Sequence, residues 1–289
     1  MYTESNGDLM DLLVGYDGSP AATTAIRVGT RLFPKAHARI TYVLTPPFAS
    51  PALRRRLRLS SRNITALTEA VEREGTFEAE LLTDSGVALA TAGGWDAEAL
   101  VKQAWGGEGI GLAQLAETHT PDAVVVGSRG LTGSEAMLGS VSELLVLHST
   151  VPVVVTKRTL LAAEYEALAA GPIVVGFDQS AGAATAVAAA QHLFPGRQLL
   201  AVSVSSDDTA EPTTAAPAGV SVINAAPGRG RGSAATAETL CAVADEHNAA
   251  ALVVGSRGRT GLRRVVLGSV AKSLLHTSYR PVTVVPSGR

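Results

Sequence analysis

The sequence predicts an α/β protein built from two tandem, doubly wound, five-stranded parallel-sheet domains related by an internal pseudo-twofold. Three observations carry this. Short apolar runs alternate with helical stretches, the pattern of parallel strands with helices on both faces. The string DLLVGYDGSPAATTAIRVGTRLFP (11–34) is echoed by GPIVVGFDQSAGAATAVAAAQHLFP (171–195) at an offset of 161 residues. A glycine-studded phrase, VVGSRGLTGSEAMLGSV (125–141), returns as VVGSRGRTGLRRVVLGSV (253–270), with its first glycine displaced by 128 residues. The difference between the offsets makes the first copy 33 residues longer in its middle. The expected domains are residues 1–158 and 171–289, joined by a helix-prone linker at 159–170.

In the first copy, LLVGY reads as a short strand ending in the turn DGSP, and an Ala-rich helix follows to Leu32, where Phe33-Pro34 stops it. RITYVL (39–44) is β-rich and leads into a Pro-rich loop. Residues 53–74 have helical spacing, with Leu53, Leu57, Ile64, Leu67 and Val71 on one side. FEAELLT (77–83) alternates and predicts a strand. Residues 86–109 read as an excursion carrying both tryptophans, Trp95 and Trp105, on a short helix, suited to packing, a partner surface or a lid. IGLAQLAETH is helical, DAVVVG a buried strand, SVSELLVLHS helical and PVVVT the last strand. In the second copy, LLAVSVSS is a strand, and DDTAEPTTAAPAG (207–219) lacks helical periodicity and reads as a loop.

Composition narrows the function. Hydrophobic residues at 46% suffice for real cores, and a net charge of -2 gives no general attraction to nucleic acid or anionic lipid. Neither a nucleic-acid nor a membrane partner is expected. The one cysteine, Cys241, sits in an apolar helical stretch and reads as a small buried hydrophobe. The first residues have no signal-peptide pattern and no apolar run is long enough to span a bilayer, so a cytoplasmic protein is expected.

The glycine phrase is the candidate site. Each copy follows an apolar strand and precedes a helix, so close-approaching backbone, orphan amides and the helix dipole converge on an anion. Ser140 and Ser269 fall at the helix start, able to cap it or to meet a phosphate. The upstream Asp17 and Asp178 can face the phrase across the point where strand order reverses, holding Mg²⁺ or a ribose hydroxyl, or can simply close Asx turns. The Walker phosphate motif and the dinucleotide fingerprint G-x-G-x-x-G are absent.

At these residues the chain resembles the universal stress protein family, as a tandem member of its ATP-binding type with flavodoxin-like layers. Gly255, Gly258, Gly268 and Ser269 fit the family's G-x2-G-x9-G-[ST]. The resemblance implies ATP, with Mg²⁺ as an optional companion. It places Gly176 and Asp178 near ribose and base, Val204 at the adenine, and Ser256, Arg257, Gly258, Gly261, Gly268, Ser269 and Val270 around the phosphates. In the first half the counterparts are Gly15, Asp17, Val43, Gly127, Ser128, Arg129, Gly130, Gly133, Gly139, Ser140 and Val141. There the spacing is one residue shorter, which moves helix donors by ~1.5 Å and turns them by ~100°. With Arg257, Arg259, Arg263 and Arg264 in its phrase, the second half is the expected better nucleotide site. The resemblance also implies that PVVVT and PVTVV pair within the chain as a pseudo-dimer, with a homodimer of whole chains as a further expectation.

No catalytic set is evident: the six histidines are dispersed and no nucleophile–base couple accompanies the aspartates. A stress-response regulator gated by ATP is the leading reading. A ligand-free interaction module and a slow nucleotide hydrolase are the alternatives.

Overall fold

In a computed structural model, residues 9–128, 139–157, 159–205, 219–228, 232–257 and 267–287 are described. The first half runs β1 (Met10–Gly15), α1 (Pro20–Leu32), β2 (Ala36–Leu44), α2 (Pro51–Ser60), α3 (Ile64–Ala92), β3 (Asp96–Gln103), α4 (Glu108–His119), β4 (Ala123–Gly127), α5 (Ser140–His148) and β5 (Val153–Thr156). Next comes α6 (Ala162–Ala170). The second half runs β6 (Ile173–Gly176), α7 (Ala181–Leu193), β7 (Leu199–Val204), β8 (Val220–Ala225), α8 (Gly232–Glu246), β9 (Ala251–Gly255), α9 (Ser269–Thr277) and β10 (Val282–Val285).

The ten strands among the described residues form one sheet in the order β3-β2-β1-β4-β5-β10-β9-β6-β7-β8. Pairing is parallel within each half and antiparallel only at β5–β10, where Val153, Val154 and Val155 face Val284, Thr283 and Val282. The two halves therefore join as one continuous sheet about a pseudo-twofold. Alternation along β1 sends Leu12 and Val14 to one core and Leu13 to the other. The first core lies under α1, α3, α6 and α7, with Ile26, Phe33, Leu168 and Phe194 among its members. The second lies under α4, α5, α8 and α9, with Leu115, Leu145, Leu240 and Leu274.

Local chemistry accounts for the main helices. Ser19 and Ser180 cap α1 and α7 by accepting hydrogen bonds from the Ala22 and Ala183 amides, both at 3.1 Å. The stretch expected as a linker contains α6, whose N-terminal Leu161 amide donates to Glu164 at 2.7 Å. Arg197 donates to the carbonyls of Leu168, Ala169 and Gly171, satisfying the open end of this helix. Burial pulls that guanidinium below its ordinary pKa.

Two expectations fail. FEAELLT is not a strand but the middle of α3, whose buried residues are Gly75, Ala79, Thr83, Gly86 and Ala90. The third strand comes later, inside the stretch read as a tryptophan-bearing helix: Asp96–Gln103 pairs with β2 from His37 to Leu44. Trp95 ends the turn before it, is 2% exposed, and donates its indole N–H to the Phe33 carbonyl at 2.6 Å. Glycine at position 29 makes space for that ring, since an added β-carbon would stand 2.5 Å from it. Trp105 is 82% exposed after the strand, edge-on to Phe48. The surplus of the first copy is thus the helical pair α2–α3. Strand β8 was not foreseen, and most of the loop expected at 207–219 lies outside the described residues. Cys241 is partly buried, and burial pushes its thiol up.

Candidate functional site

Strand order reverses between β1 and β4 in the first half, and between β6 and β9 in the second. Sites in such sheets lie at the carboxyl ends of these strands. There the first turn of each half is closed by its aspartate: the Ser19 amide donates to Asp17 Oδ1 and the Ser180 amide to Asp178 Oδ1, both at 3.0 Å. The Asx-turn alternative is therefore realised in both copies. The turn needs a left-handed residue at its centre. Gly18 adopts φ +74° freely, whereas Gln179 holds φ +62° against its own β-carbon.

At the second switch point a cavity of about 250 Å³ opens. Val202, Val204, Leu240 and Val254 make its apolar floor, and Asp178, Arg257 and Ser269 supply charge and polarity. Of the second-half candidates, Gly176, Asp178, Val204, Gly255, Arg257, Gly268, Ser269 and Val270 all line it. Gly258 and Gly261 lie outside the described residues. Ser256 lines none of it: its hydroxyl accepts from the Ser287 amide at 3.0 Å and meets the Ser287 hydroxyl at 3.3 Å.

The helix ends differ in kind. Gly268 and Gly139 are the cap residues of α9 and α5, and neither provides a side-chain cap. Ser269 and Ser140 are therefore the first helical residues, not caps. The Gly268 and Gly139 amides are spent on the Ser256 and Ser128 carbonyls, each at 2.7 Å. The next three amides of α9, those of Ser269, Val270 and Ala271, have no intrahelical acceptor and sit at the cavity wall. Three N–H groups at the positive end of a helix, with Arg257 lining the same cavity, are the kind of donors that suit an anion.

Several glycines serve the fold at the same place. A β-carbon on Gly255 would stand 2.8 Å from the Gly182 carbonyl in the first turn of α7, and one on Gly127 would stand 2.7 Å from Ala21 in α1. These residues let the strand ends approach the helices, so their substitution would disturb packing before any ligand.

In the first half Gly15, Asp17, Val43, Gly127, Gly139, Ser140 and Val141 occupy matching places; Arg129, Gly130 and Gly133 lie outside the described residues. Ser128 is buried, and its amide donates to Thr156 at 2.8 Å. Here α4 lies close to the neighbouring elements. A β-carbon on Gly111 would stand 2.6 Å from Val43, and one on Gly109 2.6 Å from the Val141 carbonyl, so α4 presses on both. The matching residues of α8 are Ala237 and Thr239, which carry side chains. Ser142 donates to the Gly127 carbonyl at 2.7 Å, where the second half has Ala271 on the cavity wall.

Charge separates the crevices as well. Glu108 opens α4 and Glu143 lies in the first turn of α5, where the second half has Thr236 and Lys272. Thr45 donates to Glu108 at 2.9 Å. Nearby, burial first and then the charges of Glu78, Asp17 and Glu108 push the Tyr42 hydroxyl above its ordinary pKa. No group of His, Cys, Asp and Glu suited to a metal occurs among the described residues.

Comparison with known proteins identifies the family and the fold. The sequence profile of the universal stress protein family matches residues 10–157 and 231–286. A universal stress protein from Archaeoglobus fulgidus superposes with a TM-score of 0.63 at 20% identity, covering 96% of each chain. A functionally unknown protein from Pseudomonas aeruginosa superposes at 0.56 and 12% identity, over 96% of this chain and 92% of its own. At these identities the likeness is one of fold. Among curated proteins none matches the sequence.

Proposed function

Because the chain belongs to the universal stress protein family, we propose that it is an adenine-nucleotide-responsive regulator that binds ATP in its C-terminal crevice. The carrying observation is a cavity whose lining brings together the first three residues of α9, Arg257, Asp178 and a set of valines. The residues fit the ligand class. Val202, Val204 and Val254 offer an apolar surface to a base, the Asp178 carboxylate suits a ribose hydroxyl, and the α9 amides with Arg257 suit phosphates. A volume of about 250 Å³ is close to the ~300 Å³ at the lower end of small-molecule sites, so the phosphates would extend along the rim. Bound Mg²⁺ would offset phosphate charge there.

The output is binding rather than turnover. Among the described cavity-lining residues Asp178 is the one carboxylate and Arg257 the one cation, and one Asp178 oxygen is held by the Ser180 amide. Efficient hydrolysis needs a positioned base and further charge at the transferred phosphoryl group. Nucleotide occupancy instead stabilises the folded state and shifts its populations. The first crevice, with α4 pressed close and Glu108 and Glu143 at its helix starts, is the weaker nucleotide site. A whole-chain homodimer must use surfaces other than β5 and β10, which already pair with each other. The cytoplasm is the proposed compartment; among the described residues no helix is long and apolar enough to cross a membrane.

The test is mass analysis of small molecules released on denaturing the purified chain, followed by calorimetric titration with ATP and adenosine. Co-purified adenine nucleotide, or ATP binding weakened about tenfold by Arg257→Ala, supports the reading. No binding of any adenine nucleotide overturns it, and catalytic accumulation of ADP overturns the non-enzymatic part.

A further inference from the structure

The tip of the hairpin formed by α2 and α3 carries a second feature. Between Asp17 and Glu69 the sequence has no carboxylate, and Arg54, Arg55, Arg56, Arg58 and Arg62 fall within nine residues. Helix α2 buries none of its residues. Leu53, Arg54 and Leu57 are half-buried, while Ala52, Arg55, Arg56 and Leu59 form an exposed row at helical spacing. At the turn into α3 two large aliphatics stand in water, Leu59 at 88% and Ile64 at 83% exposed, with exposed Arg58 and Arg62 beside them.

Several arginines elsewhere are paired with carboxylates. Arg39 pairs with Asp11, Arg73 with Glu74 and Arg280 with Asp245. Arg55, Arg56, Arg58 and Arg62 make no ion pair or hydrogen bond among the described residues. The first carboxylates after the tip, Glu69 and Glu72, lie exposed on α3 and pair with none of these arginines among the described residues; further along, Glu74 is held by Arg73 and Glu78 by Ser50. The net charge of -2 hides this concentration of positive charge.

We propose that the tip of the α2–α3 hairpin docks the protein on an anionic phospholipid surface. A bilayer interface accepts both halves of this surface at once: headgroup phosphates take the arginines, and the acyl boundary takes Leu59 and Ile64. Nucleic acid offers phosphates but no place for the aliphatics, and the exposed row has no aromatic ring on which a base can stack. A groove on a partner protein wants apolar anchors at i, i+3, i+4 and i+7, and here the two middle positions are Arg55 and Arg56. Ten residues suffice to lie in the interface, not to cross it. The attachment is peripheral, reversible and weakened by salt.

The experiment is co-flotation of the full chain with vesicles of phosphatidylcholine alone, or of phosphatidylcholine and phosphatidylglycerol in equal parts, at low and high salt. Binding is expected only to the anionic vesicles and is expected to fall with salt. Each arginine near the surface contributes about fivefold to partitioning, so the triple variant Arg55→Glu, Arg58→Glu, Arg62→Glu should lower it at least a hundredfold. The double variant Leu59→Ser, Ile64→Ser should lower it at least tenfold and leave the salt dependence in place. All five side chains are exposed, so unfolding midpoints and ATP affinity serve as controls that should not move. Equal binding to neutral vesicles, no binding to anionic vesicles at low salt, or full retention by the triple variant overturns the proposal. Tighter binding to duplex DNA than to vesicles, lost in the same triple variant, replaces it with nucleic acid.

Discussion

Phe33 and Phe194 stack on each other with ring centroids 5.4 Å apart and planes 22° from parallel. They are the same residue of the repeat, 161 positions apart, each ending the first helix of its half. Meeting on the pseudo-twofold, they give the first core a contact that neither half can make alone. Each ring is 3% exposed. Phe33→Ala or Phe194→Ala should cost about 3–5 kcal/mol. The double variant should cost less than the two together, by about 1 kcal/mol, because the stacking is lost only once. Urea unfolding of the three variants checks this; strict additivity would mean the halves are packed independently.

The same axis explains why much of the fold was legible in the sequence. Ser19 and Ser180, Leu32-Phe33-Pro34 and Leu193-Phe194-Pro195, and the two glycine phrases mark helix starts, stops and strand ends by local chemistry. What was misread is tertiary. Helix α3 turns a stripe of small residues inward, Gly75 onto the loop at Phe48 and Gly86 onto β2 with Ala79 and Thr83 buried between them, and leaves Phe77 and Leu81 exposed. The small residues are inside because the helix lies so close to β2 that a β-carbon on Gly86 would stand 2.7 Å from Ile40. Large apolar residues at 77 and 81 with polar ones between mimicked a strand. Conversely DAEALVKQ has a helix former's composition, and pairing along all of β2 from His37 overrides it. At the site, the phrase located the α9 amides and the cavity, but spacing could not reveal that the Gly268 amide and the Ser256 hydroxyl are already engaged within the fold.

At the centre of the β5–β10 pair Val154 faces Thr283, its counterpart in the repeat. Thr283 is wholly buried and its hydroxyl has no hydrogen-bond partner. An unsatisfied buried hydroxyl costs about 1–3 kcal/mol, and valine keeps the branched shape that the strand prefers. Thr283→Val should therefore raise stability by about 1 kcal/mol or more. A fall in the thermal midpoint would show that the hydroxyl has a partner after all.

On the outer strands, His37 Nδ1 lies 2.9 Å from Asp96 and its Nε2 lies 3.4 Å from Glu98. The hydrogen bond to Asp96 raises the imidazole pKa from 6.5, with partial burial opposing and Glu98 adding to the rise. A pKa raised on folding contributes stability in full below the unfolded value and loses it as pH climbs through the folded one. The stability difference between the native chain and His37→Gln should therefore favour the native chain near pH ~5.5 and shrink toward pH ~8. The effect is small because the carboxylates are largely exposed. A difference that is flat with pH would show that the pair does not act in solution.

The ranking of the two crevices can be tested without disturbing the fold. Ser269 and Ser140 are both exposed, both follow a glycine cap, and both are the first residue of a helix. A glutamate there is favourable to the helix, by about 0.3–1 kcal/mol, because it faces the positive end of the dipole. The same carboxylate competes for the orphan amides and repels phosphate. Ser269→Glu should hence lower ATP affinity more than tenfold while holding or raising the unfolding midpoint, and Ser140→Glu should leave ATP affinity unchanged. Glycine substitutions would not separate these effects, since Gly255 and Gly127 also make room for α7 and α1. Equal losses in both glutamate variants would mean that both halves carry nucleotide, and a loss confined to Ser140→Glu would reverse the assignment.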